Sequence, residues 1–148
     1  MKIREAMTSD VRTVGLDSTI REAARLMAET DVGALPVAAG DRLAGMVTDR
    51  DLAVRAIAIG KGPDTTVGEV MTNEVLYCFD DDEIADVCEN MADMQIRRLP
   101  VVNADKRLVG IVSLADIADA SRAQVAGEAL EGITRPGGRH NQSLDASA

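Results

Sequence analysis

Two short stretches of this 148-residue chain carry residue types that chemistry can use: Gly45-Met46-Val47-Thr48-Asp49-Arg50-Asp51 and Gly110-Ile111-Val112-Ser113-Leu114-Ala115-Asp116. Both read glycine, two apolar residues, a hydroxyl, two variable residues and an aspartate. A hydroxyl followed three residues later by an acid is the N-terminal capping arrangement of a helix, and the glycine can mark a strand under close packing. The same residues can also serve a ligand. A strand that runs into a helix start offers unpaired N–H groups to an anion. Thr48 or Ser113 would add a hydroxyl donor to a phosphate, and Asp51 or Asp116 would accept from the hydroxyls of a ribose. The structural and the functional uses are compatible.

Cations around the two stretches differ. Arg50 stands beside Asp51 where the second stretch has Ala115, and Ile96-Arg97-Arg98-Leu99 replaces Val32-Gly33-Ala34-Leu35. Lys and Arg number 16 against 25 Asp and Glu, for a net charge of −9 and a pI near 4.5. The summed field therefore opposes an anion, and any polyphosphate needs cations placed locally. Arginine suits bidentate phosphate contacts, so Arg50, Arg97 and Arg98 are the candidate phosphate-facing residues. The plainer reading makes them solvated surface arginines.

Other residue types offer less. The cysteines Cys78 and Cys88 do not form a Cys-x-x-Cys pair, and the single histidine, His140, sits among Gly, Asn and Gln near the C-terminus. Neither a zinc site nor a Cys/His nucleophile pair is expected, and the thiols are expected to be reduced. Cys88 falls on a helical apolar stripe as a small filler. Met7, Met27, Met71 and Met91 read as core. The run Asp80 to Glu83 reads as charge at a helix start, not as a metal site.

The elements that position these residues come from a duplication. A shift of 64 aligns residues 3–37 with 67–101, and eleven of the 35 pairs are identical, among them Met7/Met71, Thr8/Thr72, Leu35/Leu99, Pro36/Pro100 and Val37/Val101. Chance would give about two or three. After one inserted residue, 42–52 aligns with 107–117. Each copy predicts a short extended piece (Val11 to Val14, Val75 to Cys78), then a helix with an apolar stripe at Ile20, Ala23, Ala24 and Met27 or Ile84, Val87, Cys88 and Met91. Two strands follow (Leu35 to Ala38 and Leu43 to Val47; Leu99 to Val102 and Arg107 to Val112), then a helix starting at Thr48 or Ser113. Gly60-Lys61-Gly62-Pro63 ends the first of these helices and links the copies. Thr19-x-x-Glu22 predicts a capping box. Expected boundaries are 1–62, 63–125, and 126–148 for a helix end and mobile tail. The expected class is α/β (α+β): two β-α-β-β-α units about a pseudo-twofold, sheets packed together and helices outside.

Composition excludes several classes. An apolar share of 46% argues against disorder, the net charge against phosphate-backbone binding, and one Phe, one Tyr and no Trp against base stacking. No apolar run approaches a membrane span, and the charged start Met-Lys-Ile-Arg-Glu is unlike a signal peptide, so a cytoplasmic protein with no membrane and no nucleic-acid partner is expected.

The duplicated Met-Thr, the Leu-Pro-Val after each first helix and the Gly-x-x-[Ser/Thr]-x-x-Asp element together resemble the CBS (cystathionine β-synthase) domain, a tandem pair of which is called a Bateman module. The resemblance covers residues 1 to about 125. It implies clefts that take adenine-containing ligands and pairing into homodimers. It also assigns phosphate contact to Thr48 and Ser113, and ribose contact to Asp51 and Asp116. The regions of Thr13-Val14 and Tyr77-Cys78 would meet the adenine edge through backbone groups. The expected function is a stand-alone, non-catalytic sensor of AMP, ATP, NAD(H) or S-adenosylmethionine acting on a separate protein partner or through its own dimer, with no catalytic cofactor and no metal. The alternatives are a constitutive scaffold or stress-related protein with empty clefts, and a nucleotide hydrolase using Asp49 with Asp51 and Mg²⁺.

Overall fold

The structure is a computed structural model that describes residues 1–72, 76–120 and 123–135, with only the backbone of 123–126. It is a mixed α/β chain with two small sheets. Its helices are α1 (Ile20–Thr30), α2 (Asp49–Val54), α3 (Val67–Val70), α4 (Ile84–Met94), α5 (Leu114–Asp119) and α6 (Ala123–Thr134). Its strands are β1 (Ala34–Ala39), β2 (Arg42–Thr48), β3 (Cys78–Phe79), β4 (Arg98–Val102) and β5 (Leu108–Ser113). Single 3-10 turns occupy Ile3–Glu5 and Ile57–Ile59.

The chain divides into two compact units that interleave along the sequence. One contains Val11–Leu76, where described, with Asp105–Leu108; the other contains Met1–Asp10, Tyr77–Ala104 and the described residues from Val109 onward. The Met-Thr segment ahead of each copy therefore packs with the body of the other copy.

In the unit built on β1 and β2, the strands pair antiparallel with Ala34 opposite Thr48, and a bulge falls between Val37 and Ala38. Val14 adds a parallel bridge to Val37 on the other edge of β1, and Thr72 bridges Met46. The core joins Ile20, Ala23 and Met27 of α1 to Leu35, Val37 and Val47 of the sheet and to Val67 and Val70 of α3. Thr19 caps α1 as its sequence requires: Glu22 N–H donates to Thr19 Oγ1 at 3.1 Å, and Thr19 N–H to Glu22 Oε2 at 3.2 Å. The helix stops at Asp31, which takes the left-handed conformation (φ 54°).

The other unit repeats this plan with β3, β4 and β5 in that order, β3 parallel to β4 with Cys78 opposite Val101. Thr8 bridges Ile111 of β5, and Ile3 is fully buried. Here α6 is the added element, and it packs on α4 and α5. A Cβ on Gly132 would lie 2.6 Å from Ala92 Cβ, so glycine lets the two helices close. The Gln95 side-chain amide donates to the carbonyls of Gly132 (3.2 Å) and Arg135 (2.6 Å), tying down the end of α6.

That helix explains a departure from the expected apolar stripes. Ala24 is exposed although its counterpart Cys88 is buried. Cys88 and Ala92 lie one turn apart on the face of α4 that receives α6, whereas Ala24 and Ala28 on α1 are both exposed. Two further expectations shift. The helix from Thr48 ends at Val54, and Gly60 (φ 81°) instead closes the separate 3-10 turn. The second extended piece lies at Cys78–Phe79, and its expected start at Val75 lies outside the described residues, as do His140 and the tail beyond Arg135. The turns of Ile3–Glu5 and Val67–Val70 were not legible, because each is one short turn with no repeating stripe.

Candidate functional site

Each unit brings its hydroxyl and its aspartate into direct contact. Thr48 ends β2 with extended backbone, so the first N–H groups of α2 have no carbonyl of their own helix to bond and find partners outside the helical ladder. Asp51 N–H donates to Thr48 Oγ1 at 3.1 Å, and Thr48 N–H donates to Asp51 Oδ2 at 2.9 Å. Ser113 and Asp116 repeat both bonds at 3.1 and 2.9 Å. The capping reading of the two motifs is therefore realised in both copies. Each aspartate commits Oδ2 to its cap. The Oδ1 of Asp51 lies 3.7 Å from Arg55 Nε, one helical turn on. The position equivalent to Arg55 in the other copy is Ala120. Asp51 is buried, whereas Asp116 is half-buried.

The motif glycines have a packing role. A Cβ on Gly45 would fall 2.7 Å from the Thr72 carbonyl oxygen, and one on Gly110 would fall 2.9 Å from that of Thr8. They admit the incoming Met-Thr segments and need no ligand to explain them.

The region expected to face adenine divides residue by residue. Val14 is buried, its N–H donates to Pro36 O at 3.2 Å, and its carbonyl accepts from Ala38 N–H at 2.9 Å. The Val14 N–H and carbonyl thus both bond to β1. Thr13 is exposed, and on an extended segment its backbone groups face the edge away from β1. Thr13-Val14 and Thr48 flank β1 on opposite edges, with Ala34 and Val37 about 10 Å apart along the strand. Cys78 likewise pairs with β4 and is buried, its Sγ 3.9 Å from Pro100 O. Burial first, and then Asp82, pushes this thiol up to about 12, so it stays neutral. Both cysteines are free thiols. Tyr77 is exposed and meets Phe79 edge-on at 5.6 Å.

The arginines take distinct places. Arg50 is half-buried on α2, its N–H donating to Asp49 Oδ1 at 2.8 Å. Arg97 is exposed and Arg98 half-buried at the start of β4. The Arg97 carbonyl accepts the Leu114 N–H at 2.9 Å, which holds Arg97 beside Ser113. Sequence reasoning passed over Arg55, although the i,i+4 spacing from Asp51 marks it. Among the described residues no group of three His, Cys, Asp or Glu side chains is placed to hold a metal ion, and no helix is long and apolar enough to cross a membrane.

Two copies of a strand-to-helix junction, each closed by the Met-Thr of the other copy, define a pair of CBS domains. The CBS domain profile matches residues 3–57 and again 67–123, and the chain belongs to the CBS-domain family. It is 43% identical to CBS domain-containing protein YhcV of Bacillus subtilis (strain 168), over 89% of this chain and 94% of that protein. It is 42% identical to Hypoxic response protein 1 of Mycobacterium tuberculosis (strain ATCC 25618 / H37Rv), over 78% of this chain and 81% of that one. The crystal structure of Hypoxic Response Protein I, with two coordinated zinc ions, matches with a TM-score of 0.74 and 40% identity, covering 80% of this chain and 98% of that one. The CBS domain pair of protein MJ0100, in complex with 5′-methylthioadenosine and S-adenosyl-L-methionine, matches with a TM-score of 0.72 and 26% identity, over 84% and 98% of the two chains. CBSX2 in complex with AMP gives 0.71 and 28%, over 83% and 97%.

Proposed function

We propose that this chain is a regulatory module that binds an adenosine-containing ligand and acts through binding, not catalysis. The observation that carries the reading is the paired hydroxyl and carboxylate of each unit, Thr48 with Asp51 and Ser113 with Asp116, held by reciprocal bonds. Solved relatives of the same fold hold AMP, or 5′-methylthioadenosine with S-adenosyl-L-methionine, which supports the ligand class. In this reading Thr48 and Ser113 face the 5′ side of the ribose, where a nucleotide carries its phosphate, and the carboxylates of Asp51 and Asp116 accept from ribose hydroxyls. Thr13 and Tyr77 lie toward the base, and Arg50, Arg97 and Arg98 supply cations. The aliphatic core leaves an adenine to pack between aliphatic side chains. A ligand that prefers one arrangement of the protein shifts it toward that arrangement, to be read by a partner protein or by a second copy in a homodimer.

Thermal unfolding with AMP, ATP, NAD(H) and S-adenosylmethionine tests this directly. A ligand at 100 times its Kd adds about 2.7 kcal/mol to stability, a shift of several degrees for a domain of this size. At least one of the four is expected to give it. Flat curves with all four would overturn the reading in favour of a scaffold that binds none of them.

A further inference from the structure

Resting on the adenosine reading above, we infer that the two sites sort ligands by charge. The site of Ser113 and Asp116 takes adenosine ligands that carry phosphate, and the site of Thr48 and Asp51 takes adenosine ligands that do not.

The inference comes from a reciprocal exchange at positions whose backbones are held alike. In one unit Asp49 N–H donates to the Gly33 carbonyl at 2.9 Å; in the other Leu114 N–H donates to the Arg97 carbonyl at 2.9 Å. The frame is the same and the side chains are opposite in character. A Cβ on Gly33 would meet Asp49 Oδ2 at 2.9 Å, so a carboxylate occupies the space that a side chain at 33 would enter. In the other unit an arginine stands at that position, and the residue over it, Leu114, is uncharged. Of the neighbouring positions, Ala34 against Arg98 extends the contrast, and Arg50 against Ala115 offsets one charge of it. Around Thr48 these four positions cancel, Asp49 against Arg50, and Arg55 is matched by Asp51, its Nε 3.7 Å from Asp51 Oδ1. Around Ser113 they leave two positive charges, Arg97 and Arg98.

A phosphate monoester carries nearly two negative charges at neutral pH. Each unit of charge changed within a few ångströms at a protein surface alters affinity about tenfold. With −9 overall, the protein offers no general attraction to make up the difference. Asp49 is thus the residue that turns phosphate away from one site, and Arg97 with Arg98 the pair that holds it in the other.

Isothermal titration of the full chain with AMP and with 5′-methylthioadenosine, an adenosine without phosphate, tests the assignment. AMP is expected to bind one equivalent, and the neutral probe to bind alongside it without competition. Two exchange variants move the selectivity, and each installs a pair of residues that the other unit already accommodates. Gly33→Arg with Asp49→Leu is expected to raise the AMP stoichiometry from one to two. Arg97→Gly with Leu114→Asp is expected to weaken AMP about a hundredfold and to leave the neutral probe in place. An unchanged melting temperature for each variant without ligand confirms that the fold is kept. Two equal AMP sites in the wild type, or an AMP affinity unmoved in the Arg97→Gly, Leu114→Asp variant, would overturn the sorting while leaving the adenosine reading intact. If the wild type binds neither probe, the sorting fails, and the adenosine reading falls with it only where the melting curves with ATP, NAD(H) and S-adenosylmethionine are flat as well.

Discussion

Met7 lies where Gly110 would carry a side chain: a Cβ there would stand 2.6 Å from Met7 Sδ and 2.9 Å from the Thr8 carbonyl oxygen. The other copy repeats the relationship, with Gly45 against Thr72 O at 2.7 Å and Met71 Sδ at 3.1 Å. Thr8 exchanges backbone bonds with Ile111 at 2.8 and 3.0 Å, and Thr72 N–H donates to Met46 O at 2.9 Å. The Met-Thr that precedes one copy is therefore the closing edge of the other copy's motif strand, and the glycine is the gap that admits it.

Alanine at these glycines is expected to destabilise the fold unequally. At Gly110 the nearest atom belongs to a flexible methionine, which can swing aside, and the backbone overlap that then remains, 2.9 Å to the Thr8 carbonyl oxygen, is milder than that at Gly45. At Gly45 it is a backbone oxygen, which cannot move without the Thr72–Met46 bridge. Gly45→Ala should cost about 2–3 kcal/mol and Gly110→Ala about 1–2 kcal/mol, measured by urea unfolding. Equal costs would show that the sheet edge yields as readily as the thioether.

Loss of either capping hydroxyl should be felt without any ligand. Thr48→Ala and Ser113→Ala each remove the acceptor for an aspartate N–H and should cost about 1 kcal/mol. Thr48→Ser should restore most of it. Denaturant midpoints of the ligand-free protein measure this structural share, so any further loss in a ligand titration belongs to binding.

Alkaline pH should weaken the fold through Cys78. Burial and Asp82 raise this thiol from 9.0 to about 12 in the folded state. The unfolded chain therefore releases the proton first, and the stabilisation is complete below about pH 9 and lost as pH rises from 9 toward 12. The slope can reach about 1.4 kcal/mol per pH unit for one proton. Unfolding free energies between pH 8 and 11 for the wild type and Cys78→Ala check it; the variant should show the shallower dependence.

Gln95 should govern how firmly α6 is held. Gln95→Gly keeps the left-handed backbone (φ 54°) but removes the amide that donates to Gly132 and Arg135. A loss of about 1–2 kcal/mol should appear as faster hydrogen exchange across α6, with β4 unchanged. Because α6 packs on the face of α4 that carries Cys88, the same variant should label faster at Cys88 with a maleimide.

Much of the fold was legible because it is written twice. The duplicated apolar spacing marks α1 and α4, the Leu-Pro-Val segments mark β1 and β4, and Thr19, Thr48 and Ser113 mark helix starts through bonds that span three residues. Such features depend on neighbours in sequence, so spacing alone exposes them. Ala24 and Cys88 show the limit. They occupy equivalent places on equivalent stripes, yet a helix about 40 residues downstream covers only the second, and no pattern within either stripe encodes that.

The sequence by itself determined the two-copy organisation, the order of the helices and strands that both copies share, and the hydroxyl–aspartate pairs, because all of these rest on local periodicity and on capping bonds between residues three apart. Only the tertiary structure decided which Met-Thr closes which sheet, that Val14 spends its backbone on β1, and that Asp49 overhangs Gly33 where Arg97 meets Leu114. Those relationships join residues 16 to more than 100 positions apart. They are settled by which backbones approach closely enough to bond, and close approach over such separations leaves no periodic trace in the chain.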